Sequence, residues 1–136
     1  MISDVKTAIQ TAIQTNITAP DGNTIACYTS VPGSPTAPCF FVVPKTGTYL
    51  TNMPNNKVQI EFEVMLLLSK GNSLENVQDQ LDAYLLPTGT NSVKAALVSV
   101  PTTYMDWLRV TGFEYSGFTF SGTEYLGAKW HVIVMI

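Results

Sequence analysis

The sequence predicts an α+β fold: a mostly antiparallel sheet of about four to five strands, with an N-terminal helix and two central helices packed on one face. Apolar and polar residues alternate around residue 60 and again at the C-terminus, which indicates strands. Apolar residues recur at helical spacing near the N-terminus and around residue 80, which indicates helices. The resulting order is α–β–β–β–α–α–β–β. Because no repeat or linker is visible, we interpret residues 1–136 as a single α+β domain.

The first element is an amphipathic helix over residues 2–17. Ser3 and Asp4 suit its N-terminus, where a side-chain oxygen caps free amides and a negative charge meets the helix dipole. Its outer face is polar but almost uncharged. The helix ends before the turn signal at residues 20–22. Its apolar stripe consists of Ile2, Val5, Ile9, Ala12, Ile13 and Ile17.

Two short strands follow, over residues 23–30 and 39–43. The piece between them, VPGSPTAP, holds three prolines and predicts a stiff connector, because proline cannot donate to a strand ladder. We expect the second strand to stop at Pro44. Residues 45–56 lack a clear period and are interpreted as a loop.

The predicted loop carries three apolar residues, Tyr49, Leu50 and Met53. Apolar side chains in a mobile loop often contact a partner. A loop folded back onto its own domain explains them equally well.

The third strand, residues 57–70, has the clearest alternation in the chain. One face is apolar throughout, from Val58 to Leu68. The other face begins with Gln59, Glu61 and Glu63 and ends with Met65 and Leu67. That second face is therefore predicted to be wet at its start and covered at its end.

Two helices precede the last strands. Asn72 and Glu75 resemble a capping box for the first helix, which ends at the Pro87-Thr88-Gly89 turn. Asn91 or Ser92 caps the second, which ends at Pro101.

The last two strands span residues 106–115 and 123–136. The segment SGFTFSG, residues 116–122, is interpreted as their hairpin connection and contains Phe118 and Phe120. Gly112 inside the first of these strands indicates a bulge or close packing.

The composition is 46% hydrophobic and only 12% charged, whereas an ordinary globular chain carries roughly 25% charged residues. Either a Thr-rich β protein or a surface buried in an oligomer explains the missing charge. The basic residues are scattered, which argues against direct nucleic-acid recognition. No apolar run reaches the length of a membrane span, and the N-terminus does not resemble a secretory signal. We therefore expect an intracellular site of synthesis.

The residues offer little recognisable chemistry. Glu61 and Glu63 point the same way from one strand and, with His131, form the only candidate acid–base set for a small enzyme; a solvated sheet face is the alternative. A metal site of Cys27, Cys39 and His131 is conceivable, but its spacing matches no zinc pattern, and free buried thiols are favoured. The glycines match no phosphate or dinucleotide loop, so we expect no cofactor and no catalytic residue.

Residues 81–97, LDAYLLPTGTNSVKAAL, and the closing YLGAKWHVIV resemble the tail terminator proteins of long-tailed, non-contractile bacteriophages. The opening amphipathic helix and the Pro-rich VPGSPTAP ahead of an apolar strand fit the same family. Related neck and head–tail joining proteins share similar architecture.

The resemblance implies a homohexameric ring in the virion, at the head-proximal end of the tail, made and assembled in the host cytoplasm. The ring caps the tail tube, ends its polymerisation and offers a surface to the head–tail connector protein. It implies no enzymatic activity and no cofactor. Contacts are then expected from the loop and the late hairpin, while Glu61 and Glu63 line a channel if the protein forms a ring. The candidate contact residues are Tyr49, Leu50, Met53, Phe118 and Phe120.

Overall fold

The computed structural model has the predicted α+β architecture. It describes residues 2–18, 25–29, 38–50, 57–69, 81–86, 92–101, 103, 105–120 and 123–136. The strands are β1 (Ala26–Tyr28), β2 (Cys39–Leu50), β3 (Lys57–Ser69), β4 (Trp107–Phe120) and β5 (Thr123–Met135). The helices are α1 (Ile2–Asn16), α2 (residues 81–85) and α3 (Val93–Val98). No helix in these ranges is long and apolar enough to cross a membrane.

The five strands form one sheet in the order β1-β2-β3-β5-β4. Strand β1 runs parallel to β2, and every other pair is antiparallel. Two hairpins, β2–β3 and β4–β5, therefore lie side by side and join along β3 and β5. The mostly antiparallel sheet predicted from the sequence is confirmed.

One face of the sheet carries the core, and the helices cover it. The stripe of α1 packs there, with Val5, Ile9 and Ile13 fully buried. Phe62 of β3 and Trp130 of β5 lie beneath. Burying one such aliphatic or aromatic side chain contributes about 1.5–3 kcal/mol, so this layer holds the helices on the sheet. We call this the helix side and the opposite face the open side.

The open side carries a smaller apolar cluster around Cys39, Phe41 and Leu67, all buried. Met65 packs against it. The prediction that the second face of β3 is covered at its end is therefore correct.

Hydrogen bonds fasten α2 and α3 to their surroundings. The Tyr84 hydroxyl donates to the Thr18 carbonyl at 3.2 Å. The Ser92 hydroxyl accepts the Ala95 amide at 3.1 Å and donates to the Leu86 carbonyl. Of the two caps predicted for α3, Ser92 is the one observed. The predicted capping box at residues 72–75 lies outside the described residues.

The loop predicted over residues 45–56 is wrong for its first half, because β2 continues to Leu50. The ladder with β3 slips between Pro44 and Thr46 and then resumes, from Thr46 opposite Glu61 to Leu50 opposite Lys57. A bulge of this kind absorbs a proline without ending the strand. Residues 51–56 lie outside the described part.

The predicted hairpin connection over residues 116–122 is also wrong for most of its length. Strand β4 runs through Phe120, which pairs with Thr123 of β5. The ladder shifts between Val110 and Gly112, which confirms the bulge predicted there.

Candidate functional site

The sheet brings the three acid–base candidates together on its open side. Glu63 lies opposite His131 in the β3–β5 register. The His131 ring is flanked by two carboxylates: its Nδ1 lies 3.8 Å from Glu61, and its Nε2 lies 3.5 Å from Glu114 of β4. We call Lys45, Glu61, Glu63, Glu114 and His131 the ionic row, because they cross four neighbouring strands.

Lys45 supplies the row's ammonium group. Its Nζ lies 3.2 Å from Glu63, whose side chain is only 10% exposed. The hydrogen bond to Glu63 and the charges of Glu63 and Glu61 raise the pKa of Lys45. The Thr46 hydroxyl donates to Glu61 at 3.4 Å. The row therefore places one ammonium group and one imidazole among three carboxylates on neighbouring strands.

A carboxylate beside an imidazole has the chemistry for proton transfer, but catalysis also requires a concave place for substrate. Glu61, Glu63 and His131 line none of three cavities found among the described residues, with volumes of about 410, 330 and 260 Å³. The row therefore has acid–base groups on a sheet surface rather than in a pocket.

The conceivable Cys27–Cys39–His131 metal site is not assembled. Cys27 belongs to the core on the helix side, and Cys39 to the cluster on the open side. Within the described ranges, no group of three His, Cys, Asp or Glu side chains has an arrangement that could hold a metal ion. Burial raises the pKa of Cys27 to about 12, with a contribution from Cys39, and burial raises that of Cys39 to about 11. Both are free thiols.

Four of the five candidate contact residues, Tyr49, Leu50, Phe118 and Phe120, lie on strands rather than on loops. Tyr49 is 80% exposed near the end of β2, and Leu50 beside it is half-buried. Phe118 pairs with Tyr125 in the β4–β5 ladder. Met53 lies outside the described residues, as do the side chains of Phe118 and Phe120.

A groove that the sequence did not reveal runs beside β4 on the helix side. Its volume is about 330 Å³, and we call it the β4 groove. Exposed Phe113 forms one wall and meets Tyr115 edge-on, with ring centroids 6.0 Å apart. The Tyr115 hydroxyl donates to Asp82 of α2 at 3.4 Å. The lining residues are Leu85, Lys94, Val110, Thr111, Gly112, Phe113 and Trp130.

Local sequence patterns carry only a weak signal for this groove and for Lys45 and Glu114 of the ionic row. Phe113 and Tyr115 stood in a strand with many aromatics, where a core and an interface predict the same residues. The bulge before Gly112 decides which side of the sheet they occupy. Its exact position depends on the pairing with β5, which the local pattern does not determine.

A larger depression, about 410 Å³, runs along the outer face of α1. Ser99 borders it, and Thr7, Thr11 and Thr15 supply hydroxyls. Among the described residues of its lining, Asp4 is the only charged one, in agreement with the nearly uncharged outer face predicted from the sequence.

Compared with known proteins, the chain matches no protein-family model and no curated protein sequence.

Proposed function

We propose that this chain is a structural protein of the bacteriophage tail that caps the tail tube as a homohexameric ring. The ring ends tube polymerisation and presents the joining surface for the head–tail connector protein, at the head-proximal end of the virion tail. It uses no cofactor, spans no membrane and reads no nucleic-acid sequence. The family resemblance of residues 81–97 and of the closing strand supplies the starting point.

The observation that carries the proposal is the outer half of β2. Residues 44–49 are exposed, and β1 pairs only with residues 39–41 of this strand. Within the described part of the chain, the outer half of β2 is thus the edge of the sheet. A long edge strand is a template for pairing with another chain unless it is protected. Tyr49 at its tip adds an apolar contact.

The ionic row fits a ring whose open side faces the channel. Glu61 and Glu63 lie on that side, where Lys45 pairs with Glu63 and the His131 ring lies beside Glu61. The helices, with their core, then form the outer layer.

Light scattering and negative-stain imaging of the purified chain test the proposal, first alone and then mixed with tail tubes. We expect closed rings of six copies, or a ring at one end of each tube. A chain that stays monomeric at high concentration and leaves tubes uncapped contradicts the proposal. A monomer that caps tubes supports it, because some ring subunits assemble only on their partner.

A neck protein, a head–tail adaptor or a minor tail component is the nearest alternative. Gold-labelled protein bound to isolated tails separates these: a label at the head-proximal end of headless tails identifies a terminator. A label on the head alone, or at the distal tip, identifies another component.

The approach of Glu61 to His131 favours one alternative of another class, a small enzyme with Glu61, Glu63 and His131 at its site. Such an enzyme loses its turnover in the Glu61→Gln variant and retains it in Thr48→Ser, a control on the neighbouring strand. A panel of ester, phosphate and glycoside substrates gives the readout. Absence of turnover by the wild type removes this alternative.

A further inference from the structure

We infer that the β4 groove and the adjoining edge of β4 receive the outer half of β2 from a second copy of this chain, with Tyr49 as the inserted side chain. The inference rests on the proposed ring and names the contact that closes it. The partner is thus a second copy of this chain, joined head to tail.

The first argument is the position of the exposed aromatic side chains. Among the described side chains, three aromatic rings are exposed: Tyr49 at 80%, Tyr115 at 64% and Phe113 at 46%. Tyr49 lies on the outer half of β2, at one edge of the described sheet, and Phe113 and Tyr115 lie on β4, at the opposite edge. Exposed aromatic residues of this size are enriched at interfaces, where they supply contact area.

The second argument is that all three rings lie on the same side of the sheet. Residues directly opposite in an antiparallel pair share a face. Tyr49 lies opposite Val58, and Phe113 lies opposite Trp130; both partners belong to the helix-side core. When two copies meet edge to edge with their helix sides on the same side of the joined sheet, Tyr49 of one copy and Phe113 of the next therefore lie on that same side.

The third argument is strand polarity. β2 is antiparallel to β3, β3 to β5, and β5 to β4, so β2 and β4 run in opposite directions. A neighbour in the same orientation therefore places its β2 antiparallel to β4. Antiparallel pairing of this kind extends the sheet from copy to copy, and a heterologous contact closes into a ring when the rotation permits.

The register of the contact follows from where the two aromatic residues, Tyr49 and Phe113, lie along the strand direction, measured by the β3 residue in the same row of the sheet. Tyr49 is level with Val58 of β3, whereas Phe113 is level with Trp130 and hence with Val64. These levels are six positions apart along β3, or about 20 Å at the rise of a strand. The neighbouring sheet must therefore be displaced along its strands, as it is in sheets that close into barrels.

The chemistry of the β4 groove suits a tyrosine. Val110 and Phe113 offer apolar walls, and Lys94 also lines the groove. A cation beside an aromatic ring or a phenol oxygen adds a favourable contact. The bulge at Thr111 widens the edge of β4 where the ring has to enter.

Disulfide trapping between copies tests the contact. Tyr49→Cys and Phe113→Cys are prepared as separate proteins, mixed, oxidised with diamide and separated on non-reducing gels. Within one copy these positions are roughly 14 Å apart across the strands and about 20 Å along them, too far for a disulfide. Cys27 and Cys39 stay in place because they are buried.

We expect the mixture to form the disulfide dimer at least tenfold faster than either protein alone. The matched control mixes Tyr49→Cys with Thr7→Cys, whose side chain is exposed on α1. Equal rates in all mixtures indicate random collision and overturn the contact. A disulfide between Phe113→Cys and a different tail protein shows that another chain occupies the groove, which also overturns it.

Size-exclusion chromatography with light scattering provides a second readout. We expect Tyr49→Ser and Phe113→Ser to weaken self-association at least tenfold, with unchanged circular dichroism, and Thr11→Ser, an exposed position on α1 outside the contact, to leave it intact. Rings of wild-type protein without trapping between residues 49 and 113 overturn the contact and leave the tail function standing. If the disulfide between residues 49 and 113 forms but the protein never caps tubes, the contact stands and the terminator function fails.

Discussion

The Nζ of Lys45 lies 3.2 Å from the Glu63 carboxylate, although Lys45 occupies the position that the β2–β3 ladder skips. The bulge between Pro44 and Thr46 thus aims a cation at a carboxylate that is almost buried. An ammonium group beside a poorly hydrated carboxylate offsets the desolvation of that charge.

Removing this cation should destabilise the fold more than removing a cation from an exposed pair. In Lys45→Met, Glu63 keeps its burial and loses its partner. In the control Lys57→Met, the partner Asp106 is 46% exposed and water solvates it. We expect urea unfolding to give a lower midpoint for Lys45→Met than for Lys57→Met. The reverse order would show that water reaches Glu63 and that the bulge has no electrostatic role. Glu63→Gln in the Lys45→Met background should recover part of the loss.

The Ser92 hydroxyl should matter beyond an ordinary cap, because it bonds both the first turn of α3 and the carbonyl of Leu86. We expect Ser92→Ala to lower the free energy of unfolding by about 1–2 kcal/mol, from a lost N-cap and an unpaired carbonyl. Ser92→Thr keeps the hydroxyl and serves as control. If the two variants unfold alike in chemical denaturation, the hydroxyl is dispensable.

Two tyrosines allow a matched test of burial. The Tyr84 hydroxyl is buried and donates to Thr18, whereas Tyr115 is exposed and donates to Asp82. Tyr84→Phe should cost about 1 kcal/mol of unfolding free energy, because the hydrogen bond from the buried Tyr84 side chain to the Thr18 carbonyl is lost. Tyr115→Phe should change it by less than about 0.5 kcal/mol. Thermal and urea unfolding measure both, and a larger cost at Tyr115 would contradict the assignment.

The two thiols should be unreactive in the folded protein. Burial raises the pKa of Cys27 to about 12 and that of Cys39 to about 11, and only the thiolate is nucleophilic. At pH 8 we expect slow reaction with a disulfide reagent in the native state and rapid reaction of both thiols in guanidinium chloride. Rapid native labelling would place a thiol at the surface.

The same pKa shifts give a direction for stability. The unfolded chain releases the Cys27 proton near pH 9.0, while the folded chain holds it to about 12. The stabilising effect is complete below pH 9 and is lost as the pH rises toward 12. The stability difference between wild type and Cys27→Val should therefore change in the direction of the variant across that interval. A constant difference in urea unfolding from pH 8 to 11 contradicts this.

The sequence predicted the elements better than their ends. The stripe from Val5 to Ile17 places α1 correctly, because one buried face requires that spacing. Pro44 led to the wrong prediction that β2 stops there, because proline ends a central strand but is tolerated at a bulge on an edge strand. Whether β2 is an edge there depends on the shortness of β1, a tertiary fact that the residues around Pro44 do not contain.

The sequence predicted Glu61, Glu63 and His131 as members of the ionic row, but it predicted neither Lys45 and Glu114 nor the geometry of the row. Glu61 and Glu63 share a face by alternation alone. Their meeting with His131 requires the strand order β3-β5, and that of His131 with Glu114 requires the bulge in β4. These relations join residues far apart in the chain, so local periodicity cannot supply them.

The β3–β5 seam also determines how the chain must fold. Ser69 pairs with Tyr125 and Gln59 with Met135, so the joined residues are 56 to 76 positions apart, whereas each hairpin closes locally. Closing so long a loop costs entropy before any contact repays it. We expect the rate-limiting step to be the docking of one preformed hairpin on the other. Val64→Ala in the seam should slow refolding, whereas Ile9→Ala in α1 should mainly speed unfolding.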